Sequence, residues 1–277
     1  MSRMQSLRIG AADLHLLTDA FIELDGDRVF FPAQRKQWNE NLQVLSGKVQ
    51  AAVRGLLVRK GSECVLVDTG YGTNHPREGS QGIARKLADL GVTPDQITQV
   101  IITHAHGDHC MGNTTECHNE WSATYPRAAY YIEEREIAGL RKADDPLWRT
   151  SFEPLLTQGR LHLTTPDARI TDTVACWSTP GHTIGHQSVL VESEDASALF
   201  VGDLAIVAAN MEHPEWGPEW AWSCDADRES RRKIAEWAVH TNAMLVIGHD
   251  PTTPWIQLRA HRDRFKALVA VRAEDGD

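Results

Sequence analysis

The chain has 277 residues, 42% of them hydrophobic and 24% charged, the balance of a folded globular protein, so disordered and fibrous classes are excluded. Its 28 Lys and Arg stand against 38 Asp and Glu, a net charge of −10. With no long basic run, a broad nucleic-acid-binding face is excluded too.

Met1–Leu17 carries Arg3, Arg8, Asp13 and His15 among its apolar residues, which breaks the apolar core a signal peptide needs, so export is not expected. The most apolar stretch, Ala196–Met211, contains Asp203 and falls short of the ~20 residues that span a bilayer, so no membrane partner is expected. Five cysteines without a CxxC pair suggest neither a disulfide framework nor a thiolate zinc site, and a cytoplasmic location follows as the simplest expectation. No linker or repeat divides the chain, so residues 1–277 are expected to form one domain.

Leu7–Pro32 reads as a strand followed by an irregular segment. Ala52–Arg59 and Cys64–Asp68 form the first clear hairpin, around Lys60-Gly61-Ser62. Gln81–Leu90 has helical spacing and stops at Gly91, while Thr93-Pro94-Asp95-Gln96 has the form of a capped helical turn. The β-branched run Val100–Thr103 predicts a buried strand that ends at His104. Ala128–Ile132 is a further strand, Glu133–Arg141 a polar helix, and Thr173–Thr179, Gln187–Glu192 and Ala198–Val201 are strands again. Asp225–His240 is the best helix, Met244–Ile247 a buried strand, and Ala260–Arg272 a closing helix. Interleaved strands and helices with hairpins among them predict two mixed sheets faced by helices.

The chemistry concentrates in Thr103-His104-Ala105-His106-Gly107-Asp108-His109, a Gly-containing turn directly after a strand. Three imidazoles and a carboxylate packed this closely suit zinc and other first-row divalent ions. The same grammar of strand, glycine, donor recurs in Thr179-Pro180-Gly181-His182, Val201-Gly202-Asp203 and Ile247-Gly248-His249. Strand ends converging on one sheet edge would gather these residues in one site.

The set HxHxDH, TPGH, GD and GH resembles the metallo-β-lactamase fold superfamily, in particular its dinuclear hydrolases. The resemblance implies a four-layer αβ/βα sandwich of two mixed β-sheets flanked by helices. It implies His104, His106 and His182 around one divalent ion, Asp108, His109 and His249 around a second, and Asp203 shared by both. Zinc is the first expectation, and cobalt, manganese or iron also suit these donors. Asp68 and His186 are read as groups that orient the donors. The implied reaction is hydrolysis by a metal-bridging hydroxide, with Asp108 as the catalytic residue that orients it and passes on its proton.

Departures from neighbouring groups narrow the reading. Metallo-β-lactamases proper lack the carboxylate that Asp203 supplies, flavodiiron proteins resemble HxExDH, and glyoxalase II enzymes add a helical glutathione-binding domain for which the 28 residues after His249 leave no room. RNA-processing members add a cap or exosite and a basic surface, against which the net charge of −10 and the short tail argue. His106–Asn113 and Thr179–Ser188 look most like acyl-homoserine-lactone lactonases of the quorum-quenching kind, with phosphotriesterases and arylesterases of the methyl parathion hydrolase type as the alternative. A mononuclear iron, persulfide-dioxygenase-like oxidoreductase is the alternative from another class, and a binding protein without activity is disfavoured by the intact donor set. Ile206 stands where some of these lactonases carry a tyrosine. The expected partner is a small molecule with a hydrophobic part, and the pocket candidates are Phe21, Phe30, Phe31, Tyr71, Ile206, His213, Trp216, Trp220 and Trp222. The last three punctuate a Pro/Gly loop that suits either a pocket wall, a satellite core or the interface of a homodimer. Arg228, Arg231, Arg232 and Lys233 are read as a solvated helix face.

Overall fold

The computed structural model describes residues 6–42, 47–73, 82–262 and 264–269. Among these, seven strands build a first sheet: β1 (Ser6–Ile9), β2 (Ala12–Asp25), β3 (Lys48–Lys60), β4 (Glu63–Val67), β5 (Gln99–Ile101), β8 (Ala129–Glu133) and β9 (Leu161–Thr164), in that spatial order. A short hairpin of β6 (Thr114–Cys117) and β7 (Glu120–Ala123) lies between β5 and β8 in the chain. The second sheet runs β10 (Val174–Ser178), β11 (Gln187–Ser193), β12 (Ala196–Phe200), β13 (Met244–Val246), β14 (Trp255–His261) and β15 (Arg264–Val269).

Both sheets are mixed. β1 to β4 are antiparallel neighbours, whereas β4, β5, β8 and β9 are parallel. In the second sheet β12 and β13 are the parallel pair, and β10 shares their direction because β11 is antiparallel to both its neighbours. Direction places the site. The C-terminal ends of β4 and β5 open on one edge of the first sheet, those of β10, β12 and β13 on one edge of the second, and each of these ends feeds a donor loop.

Period-two burial explains the layers. Leu14, Leu16, Leu56, Val58, Val65 and Val67 of the first sheet pack against Val189, Val191, Phe200, Val246 and Trp255 of the second, forming the central core. The opposite face of the first sheet (Leu57, Leu66, Val100) packs on Ile83, Leu87, Ile137, Trp148 and Phe152. The outer face of the second (Leu190, Leu199, Leu245) packs on Ile234, Ala235 and Ala238 of the helix Cys224–Thr241. Helix, sheet, sheet, helix is the four-layer αβ/βα arrangement expected from the sequence.

Three local expectations are corrected. The closing helix over Ala260–Arg272 is instead the β14–β15 hairpin, with residues 270–272 outside the described residues. Alternation of Arg264, Phe265, Lys266 and Ala267 matches a strand with Phe265 and Ala267 turned inward, and Arg262 supplies the left-handed turn at φ 56°. The strand expected through Thr103 stops at Ile101, because the Asp68 carboxylate takes the Thr103 N–H at 2.8 Å. Arg231 is 1% exposed rather than solvated. Its guanidinium bonds Asp227 and the carbonyls of Pro214 and Leu204. No helix among the described residues is long and apolar enough to cross a membrane.

Candidate metal centre

The structure gathers the seven predicted donors into two adjoining groups. In the first, His106 Nδ1 lies 2.9 Å from His104 Nε2 and 3.1 Å from His182 Nε2. In the second, His249 Nε2 lies 3.3 Å from His109 Nε2, which is 3.5 Å from the Asp108 carboxylate. Asp203 stands between them. Its Oδ2 is 3.3 Å from His182 and 3.9 Å from His104, while Oδ1 is 2.8 Å from His249 and 3.1 Å from His109.

Three of the imidazole donors are oriented from behind. His109 Nδ1–H donates to Asp68 at 2.8 Å, and His249 Nδ1–H to the Ala52 carbonyl at 2.7 Å. His104 Nδ1 meets the Thr103 hydroxyl at 3.1 Å, and that hydroxyl donates to Asp68. Asp68 is fully buried and left-handed at φ 57°, a conformation an aspartate tolerates better than most residues. His186 Nδ1–H donates to the Thr179 carbonyl, and its Nε2 accepts the Asp203 N–H at 3.1 Å. Gly202, at φ +58°, permits this approach, since a Cβ there would sit 2.7 Å from His186 Nε2. Asp68 thus bonds the back of His109, and His186 the backbone of Asp203.

Those outer hydrogen bonds have a chemical consequence. With Nδ1 protonated on His109 and His249, both Nε2 atoms present lone pairs, yet both face an Asp203 oxygen at about 3 Å. Two acceptors at that separation need a proton or a cation between them. The electrostatics agree. Burial opposes a charged His109 ring, but Asp203, Asp108 and Asp68 outweigh it and hold His109 well above the usual imidazole value. His249 is likewise raised against burial by Asp203. Burial, reinforced by neighbouring rings, holds His104 and His182 well below that value, so their nitrogens stay open as donors. For Asp203, burial favours the neutral acid, but His249, His109, His182 and His104 prevail and keep it ionised. A buried set of imidazole nitrogens and carboxylate oxygens with these separations fits a pair of divalent metal ions.

The pocket candidates divide. Phe30, Ile206 and Trp216 are buried together in a satellite core with Val29 and Trp38, and His213 stacks on Trp216 at 3.8 Å. Trp220 is half-buried beneath Arg28. Tyr71 packs against Ala20 and Val53. Phe21, Phe31 and Trp222 are exposed, by 58%, 41% and 60%. Two of these adjoin donors: Phe21 pairs with Ala52, the acceptor for His249, and Trp222 N–H donates to the His182 carbonyl. The helix Ala208–Glu212 begins the segment read as a loop, held by Asn210, whose side-chain oxygen caps the N–H groups of Ile206 and Val207.

Sequence reading missed Arg54. It is 3% exposed on β3 and donates to the carbonyls of Gly248 and Asp250, on either side of His249. An arginine in the otherwise apolar run Ala51–Val58 was the available signal.

Residues 53–249 match the family described as the metallo-beta-lactamase superfamily, well over half the chain. Among curated proteins, a ribonuclease Z of Nocardia farcinica is 26% identical over 62% of this chain, and an N-acyl homoserine lactonase of a Bacillus species is 23% identical over 61%. The chain spans only about three fifths of the length of each, 61% and 62%. Among solved structures, AidC, a dizinc quorum-quenching lactonase bound to its product N-hexanoyl-L-homoserine, superposes with a TM-score of 0.79 at 21% identity, covering 96% of this chain and 97% of the other. With that fold, the donor loops at its strand ends and the match across residues 53–249, the chain belongs to the metallo-β-lactamase superfamily.

Proposed function

We propose that the protein is a metal-dependent hydrolase that opens a lactone or similar ester bearing a hydrophobic part. The observation that carries this reading is Asp203, one carboxylate offering Oδ2 to one donor group and Oδ1 to the other. His104, His106 and His182 would hold one ion, Asp108, His109 and His249 the second, and Asp203 both. Divalent ions bound there, with zinc as the first expectation, supply a hydroxide at neutral pH and a Lewis acid for the attacked carbonyl.

The chain's own residues do the rest. Asp108 has 21% of its side chain exposed, against 8% or less for His109, Asp203 and His249. That exposure supports Asp108 as the group that would orient the attacking oxygen and pass its proton to the leaving alkoxide. Burial of His104, His182 and Asp203 keeps water from competing at their donor atoms. Exposed Phe21 and Trp222 on segments bonded to the donors, with Ile184 two residues beyond His182, support an apolar group on the substrate. The net charge of −10 favours a small molecule over RNA as substrate.

The test is acid release in weak buffer from acyl-homoserine lactones of increasing chain length and from a simple aliphatic lactone, with and without chelator pretreatment. Chelator-sensitive turnover that improves with acyl length is expected. Absence of turnover on every lactone would overturn the lactonase reading and direct assays to phosphotriesters and aryl esters.

A further inference from the structure

Glu136 lies on the helix Glu134–Ala143, is 7% exposed, and takes no part in the donor groups. Its two carboxylate oxygens accept from two different donor loops. Oε2 accepts the N–H of Ala105, the residue between His104 and His106, at 2.8 Å, and Oε1 accepts the N–H of Gly185, three residues beyond His182, at 2.7 Å. We propose that Glu136 is a positioning residue that sets the spacing between the His104/His106 loop and the His182 loop, and thereby the affinity of the first donor group for its ion. This rests on the reading of that group as a metal site.

Three observations support a role at the loop tips rather than in general folding. The two loops are also tied at their bases, where Gln187 N–H donates to the Thr103 carbonyl at 3.0 Å and its side-chain amide to the Ile102 carbonyl at 2.9 Å. Those ties join the strand ends and do not involve Glu136. Secondly, space is kept for the clamp. A Cβ on Gly185 would lie 2.1 Å from the Glu133 carboxylate and 3.0 Å from Glu136 Cγ, so only glycine lets the His182 loop approach this helix. Thirdly, a carboxylate bonded by backbone amides on both oxygens is a strong, geometrically specific contact. The neighbouring Glu133 is engaged otherwise, with Arg135. Because first-group donors sit within about 3 Å of one another, a small shift between the loops changes the ligand geometry directly.

The experiment titrates zinc into the metal-free full chain against a chromophoric chelator, with histidine ring NMR assigning each ion to its donor group. In Glu136→Gln, one oxygen keeps an amide partner and the new NH2 opposes the other N–H. The ion at His104, His106 and His182 should bind 10- to 100-fold more weakly, the loss typical of an outer-sphere change, while binding at His109 and His249 is unchanged. Glu136→Asp keeps the charge but is a methylene too short to reach both loops, and should show the same selective loss, which keeps the test open if the Gln variant fails to fold. Gln187→Ala, which loosens only the loop bases, should lower the melting temperature without that selectivity. Wild-type affinity at both groups in the Glu136 variants, or parallel weakening of both groups in a folded variant, would overturn the proposal. A wild-type chain that takes up fewer than two ions would instead defeat the underlying reading of the metal centre.

Discussion

Replacing Asp68 by Asn tests how the second donor group is prepared. Asp68 is fully buried and accepts three hydrogen bonds, from Thr103 N–H at 2.8 Å, the Thr103 hydroxyl at 2.9 Å and His109 Nδ1–H at 2.8 Å. An asparagine can keep its oxygen on the Thr103 N–H, so the loop stays anchored. Its NH2 then occupies the Oδ2 position and faces His109 Nδ1–H, donor against donor. His109 escapes by moving its proton to Nε2, and that removes the lone pair now aimed between Asp203 and His249. Losing an orienting partner of this kind costs 10- to 100-fold in metal affinity, about 1.4 to 2.7 kcal/mol. Zinc titration should find one ion bound as in the wild type and the second weakened by that factor, and nitrogen NMR should find His109 in the opposite tautomer. Asp68→Ala, which leaves the donors without any acceptor, should lose more. An Asn variant that binds both ions with wild-type affinity, or keeps the His109 tautomer, would refute the reasoning.

Arg231→Ala leaves the Asp227 carboxylate buried without its cation, and removing one partner of such a pair costs about 3 to 5 kcal/mol; a denaturant midpoint unchanged from wild type would contradict the buried pairing. Burial pushes His186 down to about 4, below its ordinary 6.5, so the unfolded state takes up the proton first. Its contribution to stability is therefore complete above pH 6.5 and is lost as pH falls toward 4, at most about 3 kcal/mol in the metal-free protein. His186→Gln should flatten that part of a stability–pH profile, and a profile as steep as wild type would show that another group is responsible. Burial raises the Cys176 thiol to about 12 and Cys110 well above its ordinary value. Exposed Cys117 should therefore react first with a thiol reagent at pH 8 and these two only in denaturant; prompt labelling of Cys176 would contradict its placement in the central core.

The strand-end donors were legible because each follows a strand within a few residues, and the resemblance carried by HxHxDH supplied Asp108 and His109, which lie in the helical turn Gly107–Cys110. His104 stands three residues after β5, Asp203 three after β12 and His249 three after β13. What the sequence concealed depends on partners far along the chain. Arg54 bonds carbonyls nearly two hundred residues away, and Arg231 on its helix looks as solvated as Arg232 until Asp227, Leu204 and Pro214 are seen around it. Glu136 had a faint signature, standing beside Ile137 and four residues before Leu140 on the buried face of a helix read as polar. The β14–β15 hairpin was misread because short amphipathic runs fit a helical and a strand period about equally well.

A common physical demand explains why charged groups are buried around this centre. Imidazole and carboxylate lone pairs crowded within hydrogen-bonding distance repel one another unless a cation lies between them, so the loops that carry them have every reason to spread in its absence. Packing alone holds loops weakly, since their backbone amides and carbonyls must find polar partners. The chain answers with Asp68 and Glu136, which accept backbone N–H groups, and Arg54 and Arg231, which donate to backbone carbonyls. Each is buried by the sheets or helices beside it and so is rigid on its own account. Truncating any one of them should therefore weaken the centre more than the loss of a single hydrogen bond, at about 0.5–1.5 kcal/mol, would suggest, because it also releases the repulsion that the bond restrained.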